Sequence, residues 1–234
     1  MANTLLLRLE GPLQSWGERA RWAVRDTAPE PTKSGIVGLL ACALGLTADE
    51  DLRDLSRQIR TGVRCDWPGI LLTDYHTVVG GVMSAEGKIK INANTKEPET
   101  VVSWRQYLCD ASFLVAIQAA PELVARLAEA VQQPCWPIYL GRKSCPPSLP
   151  IFEGMRDYAS VEAALNDWPL REPIGGYRST TVRAVVECRP GEGARRRDEI
   201  DSRSCRTFRP RYTRDIRLTP RTAPEEDDPC TSPD

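Results

Sequence analysis

Apolar and polar residues alternate near the start of the chain. In TLLLRLEG, Leu5, Leu7 and Leu9 fall on one side and Leu6, Arg8 and Glu10 on the other. A period of two predicts a strand with one buried face. GPLQSWGERARWAVRDTAPEP then loses the pattern and carries turn signals at Gly11-Pro12 and from Pro29 to Pro31, so a long loop is expected. PTKSGIVGLLACALGL, residues 31–46, predicts a helix: Pro31 suits its start and Thr32 or Ser34 its cap. Gly35, Gly38, Cys42 and Gly45 make a stripe of small residues, and Ile36, Leu39, Leu40 and Ala43 mark the apolar side. TADEDLRDLSRQI predicts a second helix, with acids in its first turn as the macrodipole prefers.

GVRCDWPGILLTDYH supplies strand material. From Thr77 to Leu108 few positions can serve a main core, and the alternating KIKIN between glycines predicts a protruding hairpin or loop excursion. DASFLVAIQA is apolar on both faces, hence a central strand. PELVARLAEAVQQP is an amphipathic helix turning Leu123, Val124, Leu127 and Val131 inward. WPIYLGRKSCPPSLP reads as a rigid loop and TTVRAVVEC as a strand. The order strand, helix, strand, strand, helix, strand predicts an α+β fold on the ferredoxin-like plan, which RNA-binding RRM domains share. Fold alone does not fix function. The expected organisation is an RRM-like domain over 1–150, an extension with one or more strands over 151–221, and an acidic disordered tail over 222–234.

Composition narrows the classes. A chain of 234 residues, 41% hydrophobic and 27% charged, has the profile of a globular protein with a sizeable core. Net charge is −1, so any basic surface is local. The one strong asymmetry lies between Arg189 and Arg221, where 11 arginines face five acids. That segment is either an RNA-contacting surface or an exposed, partly disordered stretch. MANTLLLRLEGP has no positive n-region or long h-region, so a secretory signal is not expected. No apolar run reaches the ~18 residues of a membrane span. A cytoplasmic protein without membrane contact is expected. Eight cysteines without a Cys-x-x-Cys pair, beside the single His76, argue for free thiols and against zinc.

Several stretches carry candidate chemistry. PTKSG looks like a shortened phosphate loop, but Thr32 stands where a Walker A glycine precedes the lysine, so nucleotide triphosphate hydrolysis is not expected. What remains is a capped helix start with Lys33 and Ser34, either a phosphate contact through free N–H groups or a plain core helix. GRKSCPP, with Gly141, Arg142, Lys143 and Ser144, is either a clamp on a sugar-phosphate backbone or a basic surface turn. Tyr75 and His76 sit in TDYHTVVG. His76 is either a general base for RNA cleavage, with Tyr75 and Lys143 as helpers, or a structural hydrogen-bonding residue. Lys88, Lys90 and Lys96 mix with Asn92, Asn94, Trp104 and Arg105 in the excursion. That composition suits single-stranded nucleic acid or a solvated hairpin.

Taken together, LLLRLEGPLQSWG, PTKSGIVGLLACALGL, DYHTVVG, SWRQYLCDASFLVAI and IYLGRKSCPPS resemble, in this order, the CasD-type subunit of the type I-E CRISPR Cascade complex. The resemblance runs from Leu5 to about Pro150, with EPIGGYRS a fainter echo. It implies an RRM-like fold with a thumb-like hairpin at 77–108 and a grip on the 5′ handle of the CRISPR RNA. It also implies a place beside the Cascade backbone subunit and the large subunit, with target DNA touched only indirectly, through the guide. It implies no cofactor or metal, and no RNA cleavage, although relatives in type I-C systems cut precursor RNA. Lys33, Ser34, Arg142 and Lys143 become expected phosphate contacts, and Tyr75, His76, Lys88, Lys90, Trp104 and Arg105 expected neighbours of the splayed handle.

Overall fold

The computed structural model describes residues 1–18, 23–81, 83, 86–171 and 181–221. In chain order the elements are β1 (Thr4–Gln14), β2 (Val24–Arg25), α1 (Lys33–Leu44), α2 (Asp49–Gln58), β3 (Arg60–Trp67), β4 (Ile70–Val78) and β5 (Val101–Gln118). After them come α3 (Pro121–Gln132), β6 (Phe152–Arg156), α4 (Val161–Asp167), β7 (Val182–Cys188), β8 (Ala194–Ser202) and β9 (Thr207–Leu218). The fold is mixed α/β, dominated by one sheet of order β6-β1-β5-β3-β7-β9-β8, antiparallel throughout that path. β2 and β4 attach to β5 outside it.

β5 is the spine. Its second half lies between β1 and β3, from Ser112 to Gln118, and is apolar on both faces because both are covered. One face packs Phe113, Val115 and Ile117 with Leu5, Leu7 and Leu9 against α1 and α3. The other packs Leu114 and Ala116 with Leu6, Ala184 and Val186 against Val161, Ala164 and Leu165 of α4. Hence β1 differs from its reading as a strand with one wet face: Arg8 is buried and paired with Asp66 at 2.5 Å and Glu153 at 3.4 Å. Arg64, fully buried, bonds Asp66 and the carbonyls of Leu165, Trp168 and Pro169, and so caps the C-terminal end of α4. Alternation marks such arginines as polar but does not name their partners.

Asp110, at φ 54°, marks a bend in β5. There β3 hands over to β4 through Pro68 and Gly69: Trp67 still pairs Ser112, while Ile70 pairs Cys109. Gly69 stands at φ 74°, and a Cβ there would meet the Cys109 carbonyl at 2.5 Å. Beyond the bend, β4 and Val101–Cys109 form a two-stranded arm. The arm is therefore longer than its sequence reading: Val101–Leu108 continues β5, and Ser103, Tyr107 and Leu108 are buried. β4 ends at Val78 and β5 begins at Val101.

Further differences lie at the ends of the chain. GPLQ, read as loop, completes β1. β1 is flanked by β5 and by β6, a strand the sequence reading lacked, while TTVRAVVEC is the strand β7 and pairs β3. β6 and α4 are short and half-polar; the signal for α4 was Ser160, whose hydroxyl accepts from Ala163 N. The arginine-rich segment is the ordered hairpin β8–β9. EPIGGYRS and the acidic tail lie outside the described residues. The cysteines of the described residues carry free thiols.

Candidate nucleic-acid interface

The arm places aromatic and basic side chains at its root. Tyr75 of β4 stands opposite Trp104 of β5, and β2 joins the other side of β5 with Val24 beside Trp104. The two rings meet edge to face, with centroids 5.6 Å apart. Tyr75 is 62% exposed, Trp104 43% and Val24 51%. Large apolar rings kept this wet on a rigid strand pair offer stacking faces to unpaired bases. The signal for β2 was the alternation in WAVR, hidden within a segment that otherwise reads as loop.

Strand alternation turns the neighbours the other way. His76 and Arg105 lie on the reverse face with Asp74 and Ser103. The half-exposed His76 has Nδ1 3.7 Å from Asp74 Oδ2, and Arg105 Nε donates to Ser103 Oγ at 3.2 Å. His76 therefore does not join the aromatic platform.

The GRKSC turn is fastened to this root. Ser15 N donates to the Leu140 carbonyl, Leu140 N to Cys145 and Cys145 N to Arg142. Gly141 stands at φ 92°, and a Cβ there would lie 1.8 Å from the Ser15 carbonyl oxygen. Only glycine fits. The Arg142 guanidinium donates to the carbonyls of Gln106 at 3.0 Å and Arg25 at 2.9 Å, and lies over the Tyr107 ring at 4.7 Å. Arg142 is thus a clamp joining turn, β2 and β5. Lys143 and Ser144 stand exposed at the apex. Burial raises the Cys145 thiol above its ordinary value, which suits an anchor and not a nucleophile.

Lys88 and Lys90 lie exposed in the segment between β4 and β5, where the Lys90 carbonyl accepts from Glu99 N and the Asn92 side chain caps a turn to Asn94 and Thr95. Lys33 and Ser34 are not brought to this surface. Lys33 is 4% exposed, with Nζ 3.2 Å from both the Ile59 carbonyl and a Glu187 oxygen. Ser34 Oγ lies 3.3 Å from Thr32 Oγ1. The helix start is capped from within: Thr32 Oγ1 accepts from Gly35 N, and Asp198 from Lys33 N. Among the described residues no group of three or more His, Cys, Asp or Glu side chains is arranged to hold a metal ion.

The family model described as CRISPR-associated protein (Cas_Cas5) matches residues 4–218. The Cascade subunit CasD of Escherichia coli (strain K12) is 39% identical over 190 residues, covering 75% of this chain and 80% of that protein. The chain belongs to the Cas5 family of CRISPR-associated proteins. Its fold matches two solved structures along nearly the whole chain. One, described as a crystal structure of a Cas protein, has TM-score 0.71 at 36% identity and covers 94% of this chain and 100% of that one. A second, from a CRISPR RNA-guided surveillance complex, has TM-score 0.75 at 30% identity and covers 96% and 95%. The match of the Cas5 family extends through β9, so it includes the arginine-rich hairpin that the sequence motifs alone left outside.

Proposed function

We propose that this Cas5 protein is a non-catalytic CRISPR RNA-binding subunit of a cytoplasmic Cascade complex. It holds the 5′ handle at the root of the β4–β5 arm, beside the backbone and large subunits. The observation that carries the reading is the exposed Tyr75–Trp104 pair on a rigid arm, in a chain 39% identical to CasD. Bases stack on the Val24–Trp104–Tyr75 face, while Arg105 on the reverse face and the exposed Lys143 of the neighbouring turn serve phosphates. The order β6-β1-β5-β3, with α1 and α3 in the connections, supports a ferredoxin-like core with the arm as its thumb. On this reading β6 belongs with the core and the rest of the extension lengthens the same sheet.

The handle stays intact. His76 faces away from the platform, and its Asp74 neighbour at 3.7 Å is not a second proton donor across a phosphodiester.

Photocrosslinking tests the site. The protein is assembled with its CRISPR RNA carrying a photoreactive 5′ end, and crosslinked peptides are sequenced. Crosslinks fall in 70–78, 101–109 or 141–144. Crosslinks confined to other chains end the proposal. Incubation with repeat RNA leaves it uncut, and a product that disappears with His76→Ala refutes the non-catalytic part.

A further inference from the structure

The arginine-rich hairpin lies away from the arm. β8 closes the sheet four strand spacings from β5, roughly 19 Å. The arginines of β8, the tip and the facing part of β9 fall into two sets. Arg196 turns inward to Glu30 and Glu18, Arg211 to Asp198 and Glu187, and Arg209 pairs Asp201. Arg195, Arg197, Arg203 and Arg206 are exposed, and among the described residues none has a carboxylate partner. The five acids of the segment are spent elsewhere: Glu192 on the Arg189 N–H, Asp198 on Arg211, Glu199 on Ser56, Asp201 on Arg209 and Thr207, Asp215 on Arg183. The exposed four are thus un-neutralised in a chain whose net charge is −1.

They are also rigidly mounted. The Asp49 carboxylate at the start of α2 accepts from Ser202 Oγ, Ser204 Oγ and Arg203 N, which pins the hairpin tip. Along β8, the inward Arg196 and Asp198 fix the outward projection of Arg195 and Arg197. All the cations here are arginines, whose planar forks match phosphate oxygens and lose little freedom on a stiff strand.

We propose that the edge formed by Arg195, Arg197, Arg203 and Arg206 is a second nucleic-acid site, which grips a phosphodiester backbone distinct from the segment held at the arm. It reads charge and spacing, not bases: the aromatic nearest the tip, Phe208, pairs with the buried Ile200 on the face opposite Arg195 and Arg197.

The test uses the full chain and two probes, a short random-sequence DNA duplex and a single-stranded RNA, titrated across salt concentrations. Arg195→Gln with Arg197→Gln is compared with Arg126→Gln with Arg156→Gln, which removes the same charge from exposed positions elsewhere. The first pair lowers the salt slope by about 1.8 on the duplex or about 1.4 on the single strand, and the control pair by neither. A change on the duplex alone identifies DNA as the source, and a change on the single strand alone identifies RNA. Equal slopes in both pairs, or no change with either probe, overturn the site. In the unmodified protein, bound nucleic acid shields Arg195, Arg197, Arg203 and Arg206 from phenylglyoxal. Undiminished modification there overturns the proposal without any variant having to fold.

Discussion

Asp198 Oδ2 accepts the backbone N–H of Lys33 at 3.0 Å, so a carboxylate from β8 occupies the start of α1 that the sequence offers to a phosphate. The same carboxylate takes Nε and Nη2 of Arg211, each at 2.7 Å. Burial pushes this carboxyl up, but the Arg211 hydrogen bonds and charge outweigh it and hold it below the usual range. PTKSG is therefore a latch between α1 and the C-terminal hairpin. Asp198→Ala leaves Arg211 without its main partner and costs about 3–5 kcal/mol in urea unfolding. Because the folded pKa is depressed, this contribution is present above the unfolded aspartate range and is lost as pH falls through the folded value. Crosslinking of the RNA 5′ end to the β4–β5 arm stays the same in the folded fraction, since Asp198 lies on β8 and not on the arm.

The glycines of α1 differ in what they permit. A Cβ on Gly35 would lie 2.8 Å from the Trp16 ring and 3.1 Å from Thr32 Oγ1, and Trp16 is 1% exposed, with no room to withdraw. Gly38 has nothing within 4 Å. Gly35→Ala is expected to destabilise by about 1–3 kcal/mol through overpacking. Gly38→Ala stabilises by about 0.5–1 kcal/mol because alanine loses less backbone entropy in a helix. Thermal melts of the two variants therefore move in opposite directions. A shared sign rejects the packing argument.

Much of this fold was legible in the sequence, and the losses have physical causes. Leu5, Leu7 and Leu9 announced β1, Pro121 and the apolar stripe behind it announced α3, and the run at Phe113–Ile117 announced the central strand, because burial writes its period directly. The charged residues were harder. Lys33 looked like a ligand for phosphate because sequence shows a cation without its acid, and Glu187 stands 154 residues away. Arg142 was legible as important, but its bonds go to main-chain carbonyls, which no residue letter encodes. Tyr75 and Trp104 were separately visible as candidates; only strand pairing sets them side by side.

Arg142 and Lys143 are adjacent in GRKS and separable by experiment. Arg142→Ala removes a charged donor from the carbonyls of Gln106, Arg25 and Asp26, and is expected to cost about 2 kcal/mol of stability. Hydrogen exchange then rises at Gln106 and its strand neighbours. Lys143→Ala removes an exposed apex charge, leaves the melting temperature unchanged, and lowers the salt slope of single-stranded RNA binding by about 0.7. Identical stability losses in the two variants would show that the turn, and not the guanidinium, carries the contact.

Asp49 gives the hairpin tip an acid limit. Hydrogen bonds from Ser202 first, then Ser204, lower its carboxyl from 3.8 to about 2. A depressed folded pKa means that the pin is intact above the ordinary aspartate value and loosens only as pH falls through about 2. In the native protein, the protection of the Arg203, Ser204 and Cys205 amides against their intrinsic exchange therefore holds down to that limit and falls below it. Asp49→Asn keeps the shape of the side chain but not its charge. It lowers the protection of the tip amides, measured against their intrinsic exchange rate, at neutral pH and leaves that protection nearly independent of pH across that window. Its effect on nucleic acid separates mounting from contact. If Arg203 and Arg206 need a stiff tip, Asp49→Asn weakens duplex or RNA binding despite raising the net charge by one. Tighter binding in Asp49→Asn would mean that bulk charge, and not the pinned geometry, governs this edge.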